Sequence, residues 1–191
     1  MTNTAKKGFT LVELLIVIAI LGVLATATVI VLNPVEMLAQ ARDSNRVSDL
    51  ASLNTALGVY VSSVASPDLD ASNAVSCQGG TTFKGYNYAV PTTATFVAQG
   101  VSTVAARTIG GAGWLPVVFS DIPGGSPIAT LPIDPIGTGD FIYRYACNNT
   151  AKTFELNAAF ESVKYLTTLD LDGNDGGDQA AFYEVGTSLT L

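Results

Sequence analysis

The sequence has no histidine, two cysteines, two methionines and one tryptophan. Charged residues are 13% of the chain, with 9 Lys or Arg against 16 Asp or Glu. Each scarcity removes a class of function. Without histidine there is no imidazole for acid/base work, and with only Cys77 and Cys147 a Cys-His nucleophile or the usual zinc site lacks its parts. The net charge of -7 works against phosphate backbones, so no nucleic-acid binding is implied. An apolar content of 48% is too high for a disordered polyelectrolyte. These grounds disfavour an enzyme. The 191 residues leave room for a membrane segment and one domain with its own core, but not for a second large domain.

What the sequence does have is a long apolar run at its start. From Phe9 to Leu32 the only charge is Glu13, and Leu14–Leu32 is uncharged over 19 residues. As a helix rising ~1.5 Å per residue this stretch covers about 28 Å, close to the hydrocarbon thickness of a bilayer. Lys6 and Lys7 precede it and no base follows until Arg42, which keeps the short N-terminus in the cytoplasm and sends the bulk of the chain outside. A cleavable secretory signal ending at Ala25-Thr26-Ala27 is the simpler alternative. Against it, the apolar run continues through Val29-Ile30-Val31-Leu32, and Glu13 intrudes into what would be the signal's apolar core.

The segment Lys6-Lys7-Gly8-Phe9-Thr10-Leu11-Val12-Glu13-Leu14-Leu15, continued by Ile16-Val17-Ile18-Ala19-Ile20-Leu21-Gly22, resembles the prepilin signal of type IV pilins and type II secretion pseudopilins. The resemblance implies a membrane-embedded peptidase that cuts between Gly8 and Phe9 and methylates the new amino terminus. It implies partners too: the prepilin peptidase, the inner-membrane assembly machinery, and further copies in a homo-oligomeric filament. An acid in an apolar helix costs on the order of 3 kcal/mol at mid-bilayer, so Glu13 needs a partner. The ammonium freed at Phe9 of a neighbouring subunit is placed to supply one.

Four segments are expected: a leader at 1–8, a transmembrane assembly helix at 9–33, an amphipathic helix at 34–65, and a head at 66–191. Pro34 breaks or kinks the helix after Asn33. Beyond it Leu50, Leu53, Leu57, Tyr60 or Val61, and Val64 mark a core-facing stripe. Arg42, Asp43, Arg46 and Asp49 are assigned to the opposite, solvated face, with weak pairs such as Asp43 and Arg46. Residues 66–113 read as a long loop with short strands near Phe83–Val90 and Thr95–Val97.

The C-terminal part reads as an antiparallel sheet. Leu115–Phe119 is expected as an edge strand, Asp140–Cys147 and Thr153–Glu161 as a hairpin, and Ala181–Val185 as a last strand. Phe154, Leu156, Ala158 and Phe160 alternate with Thr153, Glu155, Asn157 and Glu161, which predicts one buried and one wet face. The fold class is therefore α+β: a long N-terminal helix packed on a C-terminal antiparallel head, as in pilins.

Asp170, Asp172, Asn174, Asp175 and Asp178, with Gly173, Gly176 and Gly177 between them, form an acidic cluster whose first three members place side-chain oxygens at alternate positions, which suits Ca²⁺. A solvated acidic turn accounts for the same residues. Asp175 stands where a glycine usually follows the third ligand, and no Glu lies at the expected distance. Calcium in a C-terminal loop is a feature of major pseudopilins, which the resemblance brings with it. Cys77 and Cys147 are expected to pair outside the cytoplasm. Asn148-Asn149-Thr150 fits a turn better than a glycosylation site, Trp114 reads as core, and Gly110-Gly111-Ala112-Gly113 lacks the Lys of a phosphate loop. The functional expectation is a filament subunit. The alternatives are a type II secretion or competence pseudopilin, or a single-pass membrane-anchored binding module. The subunit would start in the inner membrane and end in an extracellular filament or the periplasm.

Overall fold

Helix α1 spans Leu11–Leu32 in the computed structural model of the chain, which describes residues 8–70, 84–85 and 107–191. Thr10 caps it from an extended backbone, and Asn33 closes it in the left-handed region at φ 40°. Pro34 then opens helix α2, Pro34–Ser63, where a proline forfeits no helical hydrogen bond and its fixed φ suits the first turn. The interruption expected at Pro34 is thus made by Asn33. No residue of α1 is buried. Its polar side chains are satisfied internally, since Thr26 Oγ1 donates to Gly22 O and Thr28 Oγ1 to Ala25 O, each at 2.8 Å. Such internal bonding suits a helix without water around it.

Two units are distinguished, Met1–Leu38 and Ala39–Leu191, so the first turn of α2 belongs to the first and the rest of α2 to the second. In the second unit, α2 buries Ala39, Asp43, Arg46, Leu50, Leu53, Ala56, Leu57 and Tyr60. That stripe corrects the assignment of the charges to an opposite face. Asp43 and Arg46 continue the spacing of three and four that Leu50, Leu53 and Leu57 carry, and both are 0% exposed. Two polar residues on a core stripe are hidden from a reading that counts only apolar positions.

Among the described residues, four strands form one antiparallel sheet in the order β1 (Lys84–Gly85), β2 (Arg144–Asn148), β3 (Thr153–Ala158) and β4 (Tyr183–Gly186). The hairpin forms as expected but with shorter arms, Arg144 facing Asn157 and Asn148 facing Thr153. Asn148 Oδ1 accepts from the amides of Thr150 and Ala151 and so fixes the turn, while Lys152 takes φ 57°. Apart from Lys84–Gly85, the strands expected near Phe83–Val90 and Thr95–Val97 lie outside the described residues.

Leu115–Phe119 is not a strand. Val118 makes an isolated bridge to Gly110, and Phe119–Asp121 is a 3₁₀ turn. Pro116 has no amide to give a ladder, and Trp114, Leu115, Val117 and Phe119 are all buried, so this segment runs through the core instead of lining an edge. There it packs with Leu50, Leu53, Leu57 and Tyr60 of α2 and with Tyr145, Phe154 and Leu156 of the sheet. Trp114 is core as expected, and its Nε1 donates to Pro132 O at 2.9 Å.

The wet face of the sheet is not wet either. Glu155 and Asn157 are 0% exposed. Ala146, Ala159 and Phe182, with Phe141 and Leu191 against them, form a second small core over that side. Alternation predicted which side chains share a face, but the segments that return to cover the polar side left no periodic trace in the sequence.

Candidate processing and assembly site

The cleavage candidate begins in open chain. A Cβ placed on Gly8 would meet nothing within 4 Å, and Phe9 is 87% exposed. Packing among the described residues therefore does not demand glycine at position 8.

Glu13 is held differently from what its sequence position suggests. Its Oε2 accepts from Thr10 N at 2.8 Å and from Thr10 Oγ1 at 2.7 Å, and Thr10 Oγ1 accepts from Glu13 N at 3.2 Å. This reciprocal cap satisfies first-turn donors that an α-helix otherwise leaves open. The carboxylate has partners inside its own chain, so a neighbouring amino group is not its sole source of hydrogen bonds. Around it the surface of α1 is apolar on every side, from Val17 at 46% exposed to Val31 at 82%. Its mean hydropathy reaches 3.0, and it is long and apolar enough to cross a membrane.

The head fixes α2 through a charge cluster. Arg46 Nε and Nη2 donate to the two oxygens of Asp134 at 2.6 and 3.0 Å, and its Nη1 donates to Asp43 and Glu161. Arg42 forms a second fork onto Glu161, both bonds at 2.7 Å. Asp43 accepts the amides of Glu161 and Ser162, and Tyr143 OH donates to Asp49 at 2.7 Å. Burial opposes the Arg46 charge, yet the bonds and attraction of Asp134, with help from Glu161 and Asp43, hold its pKa above the ordinary arginine value. Arg42 is the main cause holding the Glu161 carboxyl below its ordinary range; burial acts the other way. Sequence reasoning missed Asp134 and Glu161 in this role. Asp134 Oδ1 also accepts from Ile136 N at 2.8 Å, a local turn bond that gives no sign of the distant Arg46.

The acidic loop wraps over β4. Asp175 takes hydrogen bonds from Gly177 N at 2.9 Å and Glu184 N at 2.6 Å, and a Cβ on Gly177 would collide with the Glu184 carboxylate. Asn174 Nδ2 donates to the carbonyl and carboxylate of Asp170, which has φ 48°. Asp178 accepts from the Gln179 side chain. Asp172 is 8% exposed, its Oδ1 has no hydrogen-bond partner among the described residues, and burial pushes its carboxyl up. Among the described residues no three acids converge on a point where a metal would sit. Asp170 and Asp175 are engaged with neighbours of their own.

Below that loop, Asn157 Nδ2 bridges two buried carboxyls, Glu155 Oε1 at 2.8 Å and Glu184 Oε1 at 3.1 Å. Burial, then the hydrogen bond with Glu155, pushes Glu184 up to about 8. Cys147 is 7% exposed, with its sulfur 3.5 Å from Leu69 O. Cys77 lies outside the described residues.

Residues 3–29 match the family model of the prokaryotic N-terminal methylation motif. The chain therefore carries the prepilin-type signal of type IV pilins and pseudopilins, placed on a helix that leads into an α+β head. This signal supports a pilin-like or pseudopilin-like protein, points to a family of structural subunits, and implies processing by prepilin peptidase and an inner-membrane-anchored precursor. No curated protein and no solved structure matches the chain.

Proposed function

We propose that this chain is a structural subunit of a type IV pilus-like extracellular filament, cleaved after Gly8 and polymerised through α1. One observation carries the reading: α1 leaves apolar side chains exposed around its whole circumference. A contiguous apolar surface of that kind must be covered. A membrane covers it before assembly, and the same helices of other subunits cover it in a filament core. Gly8, Phe9 and Glu13 are the processing and assembly residues, and the head is the displayed part.

Shearing cells and probing the released fraction tests the proposal. Long sheared fibres containing the chain are expected. Retention in the envelope as short fibres would make it a type II secretion or competence pseudopilin. A chain that never oligomerises would be a membrane-anchored binding module, with the acidic loop as its working surface.

A further inference from the structure

Glu13 stands in an apolar helix, and its two oxygens are not equivalent. Oε2 takes both the amide and the hydroxyl of Thr10, at 2.8 and 2.7 Å, while Oε1 accepts no hydrogen bond among the described residues. The return bond from Glu13 N to Thr10 Oγ1 closes a ring of contacts that fixes where the carboxylate sits on the first turn. Thr10 lies immediately after Phe9, whose nitrogen becomes a free amine once the Gly8–Phe9 bond is cut.

We infer that Thr10 is the positioning residue for Glu13. It meets the hydrogen-bonding demand of one carboxylate oxygen from within the subunit and leaves the other for an amino group of the assembled filament. The inference rests on the filament reading above. It explains how a subunit can wait in the membrane with an acid in its helix, because an unassembled chain carries its own partner for that acid. The hydroxyl is the necessary part, since every residue but proline would supply the amide. Serine should therefore replace threonine, and valine, which keeps the shape and lacks the oxygen, should not.

Two measurements on the full chain test this. In detergent micelles, hydrogen exchange at the Glu13 amide should quicken roughly fivefold in Thr10→Val, the scale of one lost hydrogen bond, and return to the parent rate in Thr10→Ser. In cells, Thr10→Val should be cleaved normally and assembled several-fold less, Thr10→Ser should assemble normally, and Thr10→Val should add nothing to Glu13→Ala. Unchanged exchange in Thr10→Val overturns the cap. Changed exchange with normal assembly, or a loss that adds fully to that of Glu13→Ala, overturns the positioning role. A parent chain that is cleaved but forms no fibre sinks the filament reading and the assembly role together, and the exchange result then reports on the cap alone.

Discussion

Arg46 Nε donates to Asp134 Oδ2 at 2.6 Å across 88 positions of sequence, and neither side chain is more than 1% exposed. A buried pair of this kind contributes little beyond well-packed apolar residues while both partners are present, but removing one leaves a charge buried alone. Arg46→Ala strips the cation from Asp134, Asp43 and Glu161 together, and we expect a loss of roughly 3–5 kcal/mol in urea unfolding of the detergent-solubilised chain. Arg42→Ala, at the more open side of the cluster, should cost clearly less. Equal losses in the two variants would mean that burial of the cluster does not set its energetics.

The pH dependence of stability should have two limbs of opposite sign. Glu161 has its pKa lowered in the fold, so the stability it adds is present above the ordinary value of 4.5 and is lost as pH falls through the folded value. Glu184 is raised from 4.5 to about 8, so the folded state binds its proton more tightly and stability falls as pH rises between those two values. Thermal melts across this range should show a maximum at mildly acid pH. Glu184→Gln should flatten the alkaline limb and leave the acid limb. A limb unaltered in that variant would show that the Glu155 and Glu184 pair does not control it.

What the sequence disclosed and what it hid divide along one physical line. The apolar run, the break after Asn33, the stripe through Leu50, Leu53 and Leu57 and the hairpin at Asn148–Lys152 are local signals, and each was legible. Burial of Asp43, Arg46, Glu155 and Asn157 was not. It depends on groups far off in sequence, such as Asp134, Glu161 and Phe182, and a polar residue carries no mark of whether a partner will meet it. The same holds for Leu115–Phe119, where apolar content suggested a strand but burial on all sides made it an irregular core segment. At the N-terminus Thr10 stands inside the motif, but only side-chain geometry gives it a role.

The mature chain should begin at Phe9. Intact-mass analysis of the membrane fraction should lack residues 1–8 and carry one added methyl group. Because Gly8 has open space around it, Gly8→Leu should block the cut without harming the fold. A mature chain starting at Thr28 would indicate an ordinary secretory signal and remove the basis for assembly through α1.

Cys77 and Cys147 should form a bridge once exported. In the chain-entropy model, closing a loop of about 70 residues stabilises the folded state by up to ~4 kcal/mol. Non-reducing peptide mapping of the exported protein should join the two cysteine peptides, and reductant should lower the melting temperature. Two free thiols in the exported chain would refute the pairing.

Calcium should order the acidic loop. Asp170, Asp172, Asp175 and Asp178 lie within nine positions, and their repulsion weakens the fold unless something neutralises them. Asp172 is the residue to watch, because its Oδ1 is buried without a partner among the described residues and a hard cation would satisfy it. The others must turn inward to complete a site, with Asn174 presenting its oxygen in place of the nitrogen that now bonds Asp170. Binding to the folded state alone raises stability, and calcium at ten times its dissociation constant would add about 1.4 kcal/mol, roughly 3–5 °C for a chain of this size. Melting of the detergent-solubilised chain should therefore shift upward in millimolar calcium and fall back with chelator. Asp172→Asn should shrink the shift most, and Asp68→Ala, outside the loop, should leave it intact. If calcium does not move the parent melt at physiological ionic strength, the loop is a solvated turn held by Glu184 and Asp175, and α1 still carries the filament reading without it.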